Sequence, residues 1–249
     1  MKPTWKHALI IGASSGIGAQ LARKLARSGC RVALIARRTE LLDELVQEIN
    51  GQSPAPIAIA YPHDVVHYDE VPGLFQQICR DLGGLDLVVY AAGIMPAIGE
   101  DEFNFSKDRA IIEVNVLGAI AWLNEAAVRF LRAGEGTIVG ISSVAGDRGR
   151  RGNPVYCASK AALATYLEAL RNRLARHGVA VVTIKPGPVD TPMTAGQRLP
   201  LMIPAERAAA AILAAAARRV HTAYVPGIWR PIMFIIRNIP SRIFRKLNL

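Results

Sequence analysis

The sequence predicts a single-domain α/β fold: a doubly wound parallel sheet of about seven strands with helices on both faces. The chain has 249 residues without a long linker, which suits one large domain. Hydrophobic residues make up 51% and charged residues 20%, enough apolar material for a sizeable core. Short apolar runs alternate with helical patterns along the chain, and strands buried on both faces between helices indicate a parallel sheet.

The alternation assigns the elements in order. Apolar runs predict strands over residues 8–11, 31–36, 57–61, 85–90, 137–142, 179–185 and 223–225. Apolar residues spaced three or four apart predict helices over residues 15–28, 40–49, 71–82, 110–131, 155–177 and 205–217. Asn115 interrupts the fourth of these helices, and because Asn is a poor helix former it predicts a kink or a functional role there.

A glycine-rich bend follows the first strand and opens the first helix. Its G-x3-G-x-G spacing lets the backbone turn tightly and approach a pyrophosphate, while the helix N-terminus offers free N–H groups. This strand–turn–helix context favours a dinucleotide-binding loop over an ordinary Gly-rich turn. The residues expected to bind the cofactor here are Gly12, Ser14, Ser15, Gly16, Ile17 and Gly18.

The residues after the second strand predict the choice of cofactor. In dinucleotide folds an acid at this point binds the ribose 2′-OH. This chain has Arg37 and Arg38 instead, and a planar guanidinium suits a 2′-phosphate. We therefore expect NADP(H) over NAD(H); a solvated surface pair of arginines is the alternative. Asp64 and Val65, after the third strand, are expected beside the adenine.

Tyr156 and Lys160 are the strongest candidates for chemistry. They are i, i+4 at the start of a predicted helix and share one face. A free Tyr has a pKa of about 10, and a nearby ammonium together with an oxidised nicotinamide favours the phenolate. Ser143 lies just past the fifth strand, where its hydroxyl can hydrogen-bond a substrate oxygen. The alternative is that Tyr156 and Lys160 form a surface pair without a catalytic role.

These motifs together resemble the short-chain dehydrogenase/reductase family over about residues 7–195. The resemblance implies a Rossmann-like fold, with Ser143, Tyr156 and Lys160 as the catalytic set and Asn115 holding a water in a proton relay to Lys160. It also implies that Lys160 binds the nicotinamide ribose. Further cofactor contacts are implied at Ala92, Gly93, Pro186, Gly187, Val189 and Thr191.

The chain departs from the family pattern after the fourth strand. The family usually has Asn-Asn-Ala-Gly, whereas this chain reads Tyr90-Ala91-Ala92-Gly93. Ala91 lacks a side chain that ties neighbouring strands together. We expect a local rearrangement without loss of cofactor binding.

The positive charge is concentrated at the C-terminal end. The net charge is +10, yet the last acid is Glu206, and 8 Lys and Arg residues follow it. The preceding 206 residues are close to balanced, with 22 basic and 20 acidic residues. This distribution argues against a nucleic-acid partner and favours an anionic membrane surface.

Residues 227–249 are predicted to be a basic amphipathic extension of a catalytic domain spanning residues 1–226. The extension has no apolar run long enough to span a membrane. It is expected to present Ile232, Ile235, Ile236 and Ile239 on one face, with Trp229 as an interfacial anchor and with Ile243, Phe244 and Leu247 inward in a second short helix. Completing the fold's own core, forming a subunit interface and lining the substrate cleft are the alternatives.

The sequence therefore predicts an NADP(H)-dependent oxidoreductase acting on a carbonyl or alcohol. The apolar loop after Thr191 suggests a lipophilic substrate, and the Ala-rich long helices suggest a homodimer or homotetramer. Three separated cysteines suit a reducing, cytoplasmic compartment, with the chain peripheral on the inner face of a membrane, and no metal site is expected. The basic loop with Arg148, Arg150 and Arg151 is expected to be solvated, the alternative being contact with an acidic substrate group. A catalytically silent membrane-associated scaffold remains the alternative function.

Overall fold

A computed structural model of the chain describes residues 4–247. Seven strands form one parallel sheet in the order β3-β2-β1-β4-β5-β6-β7. They are β1 His7–Ile11, β2 Arg31–Ala36, β3 Ala58–Pro62, β4 Leu87–Tyr90, β5 Gly136–Ile141, β6 Val179–Pro186 and β7 Thr222–Val225. The predicted doubly wound α/β fold is confirmed, and the short seventh strand forms the edge.

Helices cover both faces of this sheet. They are α1 Gly16–Arg27, α2 Thr39–Gly51, α3 Val71–Leu82, α4 Phe105–Ile112, α5 Gly118–Ala133, α6 Pro154–Leu174, α7 Ala205–Ala217, α8 Trp229–Asn238 and α9 Ser241–Phe244. Helices α1, α2 and α7 pack on one face, and α3, α5 and α6 on the other. Successive residues of β1 point to opposite faces and enter both cores, which explains why the strand is apolar throughout.

The long helix carrying Asn115 differs from its prediction. The helical segment begins at Phe105, five residues before the predicted start, because the Asn104 side chain accepts a hydrogen bond from Lys107 N at 3.2 Å and caps the helix. A π-turn over Glu113–Leu117 separates α4 from α5, so Asn115 does mark an irregularity. By length and composition this helix could cross a membrane, but Trp122, Leu123 and other α5 side chains are buried in the core on the sheet.

The C-terminal extension packs partly against its own domain. Trp229 is only 8% exposed and forms a small cluster with Met233 and Val144, so the prediction of an interfacial Trp229 anchor is wrong. Ile232 and Ile236 pack on the same cluster, which splits the predicted apolar face. In the last segment only Phe244 is half-buried; Ile243 and Leu247, predicted inward, are exposed. The last two residues of the predicted extension lie outside the described residues.

The order of the strands places a crevice at the carboxyl end of the sheet, where the strand order reverses. The chain winds outward from β1 to β3 and then returns to β4 on the other side of β1. In open α/β sheets ligands bind at this reversal, beyond the carboxyl ends of the strands. The loops that follow β1, β4, β5 and β6 meet there, and they carry the predicted site residues.

Candidate active site

The start of α6 positions Tyr156 and Lys160. Pro154 occupies the first turn, and the Asn153 side chain accepts a hydrogen bond from Tyr156 N at 3.2 Å, which fixes where the helix begins. Both side chains are buried, and Lys160 Nζ lies 5.7 Å from the centroid of the Tyr156 ring. Lys160 Nζ also donates to the carbonyl oxygen of Ile141 at 3.0 Å, which ties α6 to the end of β5.

Ser143 stands beside Tyr156 on the segment after β5. Its Oγ accepts a hydrogen bond from Ala145 N at 3.1 Å and caps a short 3₁₀ turn over Val144–Asp147. The neighbouring Ser142 is buried and donates to the Lys160 carbonyl at 2.7 Å, so it holds α6 in place and does not reach the cleft. The structure thus brings Ser143, Tyr156 and Lys160 together as predicted.

Burial dominates the electrostatics of this group. It raises the pKa of Tyr156 to about 12, while the Ser143 hydroxyl acts in the opposite direction. Burial also lowers the pKa of Lys160 to about 8. The expected lowering of the Tyr156 pKa by the Lys160 ammonium is therefore not what the protein produces by itself.

Asn115 and Lys160 face a common space above Gly93. Asn115 Oδ1 accepts from Ile94 N at 2.8 Å, while Nδ2 donates to the Ile94 carbonyl and to Ser159 Oγ, both at 3.1 Å. A Cβ on Gly93 would lie 3.3 Å from both Asn115 Oδ1 and Lys160 Nζ. The absence of a side chain at Gly93 leaves this space open. One Oδ1 lone pair and the ammonium are available to a water there.

Tyr90 accounts for the departure from the family pattern. Its side chain is fully buried, and its hydroxyl donates to the Val114 carbonyl at 2.6 Å, inside the π-turn. Gly118 makes room for that hydroxyl, because a Cβ there would lie 2.7 Å from Tyr90 Oη. Tyr68 donates similarly to the Glu113 carbonyl at 3.2 Å. Two tyrosines thus support the turn carrying Asn115, and sequence reasoning missed both; the unusual Tyr before Ala91 was the available signal.

The glycine-rich loop is shaped by close backbone contacts. Gly12 has φ +90°, and a Cβ there would lie 2.4 Å from Ala92 N. A Cβ on Gly18 would lie 2.1 Å from the Gly12 carbonyl oxygen. At the start of α1, Ser15 makes no side-chain cap, so the first amides of the helix point unpaired toward the crevice. Ile17 follows within this first turn, as predicted.

The two arginines after β2 have different surroundings. Arg38 reaches the glycine-rich loop, donating through its Nη2 to Ser14 Oγ at 2.9 Å and to Ser15 Oγ at 2.6 Å. Arg37 points the other way and pairs with Asp64, its Nη1 lying 3.4 Å from Oδ2. The prediction from the sequence did not distinguish the two arginines, whereas the structure brings only Arg38 to the glycine-rich loop. Val65 is buried next to Asp64.

These donors fit a phosphorylated dinucleotide. Arg38, two serine hydroxyls and the uncapped start of α1 supply positive charge and N–H or O–H donors. The Asp64 carboxylate that contacts this pair of arginines is bound to Arg37 and not to Arg38. A phosphate placed between Arg38 and the start of α1 would accept hydrogen bonds from these donors.

The turn after β6 closes the other side of the crevice. Pro186 ends β6, and the buried Val189 pairs with Ile203 in a two-residue parallel ladder. Thr191 comes to the glycine-rich loop, since a Cβ on Gly16 would lie 3.0 Å from Thr191 Cγ2. The indole of Trp229 covers Gly187, where a Cβ would lie 2.0 Å from Nε1.

The basic loop after Ser143 anchors the C-terminal helices. Arg148 Nη1 donates to the carbonyls of Ile236 and Ile239 at 2.6 Å, and its guanidinium lies 3.9 Å from the Phe244 ring centroid. Arg150 contacts the sulfur of Met233 at 3.6 Å. The prediction of a solvated loop is therefore wrong for these two arginines, because α8 and α9 cover them. Arg151 is exposed and pairs with Glu100.

Comparison with known proteins identifies the family of the chain. The family model described as short chain dehydrogenase matches residues 6–200. The chain belongs to the short-chain dehydrogenases. An uncharacterized oxidoreductase of Mycobacterium tuberculosis is 35% identical over 247 residues, covering 98% of this chain and 97% of that protein. One from Myxococcus xanthus is 38% identical over 200 residues, covering 80% of this chain and 78% of the relative.

Solved structures of short-chain dehydrogenases share the fold. One from Mycobacterium marinum has a TM-score of 0.81 at 28% identity and covers 90% of this chain and 95% of its own. The structure of ElxO with NADP bound has a TM-score of 0.80 at 20% identity, and the match covers 91% of this chain and 100% of the ElxO chain. As a short-chain dehydrogenase, the protein is an oxidoreductase that uses a nicotinamide dinucleotide.

Proposed function

We propose that this short-chain dehydrogenase transfers hydride between NADP(H) and the carbonyl or hydroxyl carbon of a lipophilic substrate, with Tyr156 as the acid and base. The observation that carries the proposal is the group formed by the buried Tyr156 and Lys160 and the half-buried Ser143 at the carboxyl end of the sheet. A buried phenol paired with a serine hydroxyl is suited to holding one substrate oxygen.

In the direction of reduction, NADPH, when bound, would supply the hydride that the carbonyl carbon accepts. Ser143 donates a hydrogen bond to the carbonyl oxygen and orients it toward Tyr156. Because burial keeps the pKa of Tyr156 near 12, the phenol is protonated at neutral pH and gives its proton to that oxygen. The Lys160 ammonium then protonates the Tyr156 phenolate, and a water beside Asn115 would pass a proton from solvent back to Lys160. The substrate leaves as an alcohol.

The preference for NADP(H) over NAD(H) rests on Arg38. Its guanidinium is held against Ser14 and Ser15 at the start of α1, where a 2′-phosphate can accept charge-assisted hydrogen bonds. The fold neighbour ElxO is described with NADP bound, which is consistent with this preference. We assign the remaining cofactor contacts to Asp64, Val65, Ala92, Gly93 and the turn from Pro186 to Thr191.

The segment between Thr191 and Pro204 supports a lipophilic substrate. Met193, Leu199 and Leu201 are exposed there, although they are apolar, and both ends of the segment are fixed by the Val189–Ile203 ladder. An apolar substrate entering the crevice would cover these side chains and remove them from water.

The quaternary and cellular parts of the proposal rest on exposed surfaces. Helix α6 exposes a stripe of Ala162, Thr165 and Ala169, and α5 exposes Val128 and Leu131, which suits close pairing of two copies in a homodimer or homotetramer. Residues 227–249 act as an extension of a catalytic domain formed by residues 1–226. The exposed basic side of this extension supports a cytoplasmic chain that associates peripherally with the inner face of a membrane.

The experiment that tests the proposal is NADPH oxidation with a panel of lipophilic ketones and aldehydes, comparing wild type with Tyr156→Phe. We expect the variant to lose turnover while NADPH binding, followed by fluorescence, stays intact. The catalytically silent scaffold is the competing function. The scaffold function gains support only if the wild type binds NADPH but reduces none of the carbonyl compounds in the panel. Wild-type-like turnover by Tyr156→Phe would show that Tyr156 is not the acid and base.

A further inference from the structure

An open cavity of about 410 Å³ lies on the outer side of α8, away from the active-site crevice. It is lined by Tyr224, Arg230, Pro231, Phe234 and Arg237. Arg230, Phe234 and Arg237 are i, i+4 and i+7 on α8, so they form one stripe along the helix. Tyr224, on the edge strand β7, forms the opposite wall.

The cavity carries positive charge that no carboxylate among the described residues pairs with. Within residues 4–247, neither Arg230 nor Arg237 forms an ion pair. Asp147 lies behind Tyr224, but its buried carboxylate already accepts from the Tyr224 hydroxyl at 2.6 Å and from Lys185. Two guanidiniums thus share one cavity without a bound carboxylate, an arrangement that suits a phosphate or similar anion.

Apolar side chains flank the same cavity on the outward side. Phe234 is 71% exposed and Ile235 is 65% exposed, and Ile228, 52% exposed, lies two turns before Ile235 on the same side of α8. The inward side of α8 is already satisfied, because Met233 and Trp229 are buried against Val144. The exposed apolar side chains are therefore not needed by the domain, and their clustering next to cations marks an interaction surface.

We infer that this cavity binds the phosphate of an anionic membrane lipid, with Phe234, Ile235 and Ile228 entering the interfacial layer. Arg230 and Arg237 hold the phosphate, and the acyl region receives the apolar flank. Helix α8 has 10 residues and is too short to span a bilayer, so it lies on the surface. The inference rests on the membrane association proposed above and names the lipid site that would support it; catalysis does not require this site, and its test needs no turnover.

The test is flotation of the full-length chain with phosphatidylglycerol–phosphatidylcholine vesicles. The site variant is Arg230→Gln with Arg237→Gln, and the charge-matched control is Arg242→Gln with Arg245→Gln, both exposed on or next to α9. If basic residues act only through diffuse attraction, removing either pair lowers vesicle binding about 30-fold. We expect the site variant to bind at least about tenfold more weakly than the control, because it also loses direct hydrogen bonds to phosphate.

Raising the salt concentration sharpens the comparison, since diffuse attraction between exposed charges is screened. We expect the difference between the two variants to persist at high salt, and NADPH binding to be the same in all three proteins. Equal losses in the two variants, or no flotation of wild type at low salt, overturn the inference. The protein could instead bind inorganic phosphate saturably, with the same dependence on Arg230 and Arg237, and not bind vesicles. That result would assign the cavity to free phosphate and overturn the lipid assignment.

Discussion

At the level of single residues, the two adjacent arginines after β2 differ in their contacts. Arg38 contacts Ser14 and Ser15, whereas Arg37 is paired with Asp64. We predict that Arg38→Gln weakens NADPH binding about 10- to 100-fold, since hydrogen bonds to charged groups contribute about 1.5–3 kcal/mol, and leaves NADH binding nearly unchanged.

Arg37→Gln is the matched control for that measurement, and titration of protein fluorescence with each cofactor provides both dissociation constants. We expect a loss of less than about threefold for this variant, because an exposed ion pair contributes little. Equal losses in the two variants, or equal affinity of wild type for NADPH and NADH, would contradict the assignment of the 2′-phosphate to Arg38.

Lys160 is the second residue with a measurable signature. Burial lowers its pKa to about 8, against 10.5 for an ordinary lysine. Below pH 8 the ammonium is charged in both folded and unfolded chains, and its burial cost is fully present. Between pH 8 and 10.5 the unfolded chain binds more protons, so the free energy of unfolding increases as pH rises through this window.

We therefore predict that Lys160→Met raises the free energy of unfolding at pH 7 by about 1–3 kcal/mol while abolishing turnover. The gain should shrink as pH rises from 8 to 10.5, as measured by urea denaturation at several pH values. Lys246→Met, at an exposed position, is the control. A destabilised Lys160→Met protein at pH 7 would mean that the hydrogen bond to the Ile141 carbonyl outweighs the cost of burial.

At the scale of elements, the π-turn between α4 and α5 depends on a tyrosine that replaces the family's usual Asn. We predict that Tyr90→Phe, which removes the buried hydrogen bond to the Val114 carbonyl, destabilises the chain by about 1–3 kcal/mol. The turn carries Asn115, so we expect kcat to fall about tenfold with KM for NADPH little changed. Steady-state kinetics and denaturation measure the two effects.

Gly118→Ala provides an independent check on the same space, because its Cβ would lie 2.7 Å from Tyr90 Oη. We expect the double variant to lose less stability than the sum of the two single variants, since removing the hydroxyl makes room for the methyl group. Strict additivity together with an unchanged kcat would show that the Tyr90 hydroxyl neither shares this space with residue 118 nor supports the turn that carries Asn115.

At the scale of the whole molecule, the exposed small residues of α6 predict self-association. We expect light scattering at micromolar concentration to give two or four times the chain mass of 26.9 kDa. Ala169→Arg on α6 should lower that mass, whereas Ala214→Arg on the exposed side of α7 should not. A monomeric wild type, or equal effects of the two substitutions, would contradict pairing through α6.

Sequence reasoning alone predicts the sheet, the helices, the glycine-rich loop and the grouping of Tyr156 with Lys160. These features follow from interactions within a few residues: apolar periodicity selects strand or helix, a tight turn requires glycine, and i, i+4 spacing aligns two side chains. The long helix was predicted too short because its start depends on the cap at Asn104, outside the periodic pattern.

Which partner each side chain contacts depends on how distant segments pack together. The tertiary structure brought Arg38 and not Arg37 to Ser14, turned Trp229 inward against Gly187, and gave the Tyr90 hydroxyl to the Val114 carbonyl. An amphipathic pattern specifies that a helix has two faces but not what each face meets. The partners come from segments far apart along the chain, and their contacts exist only once the sheet is assembled.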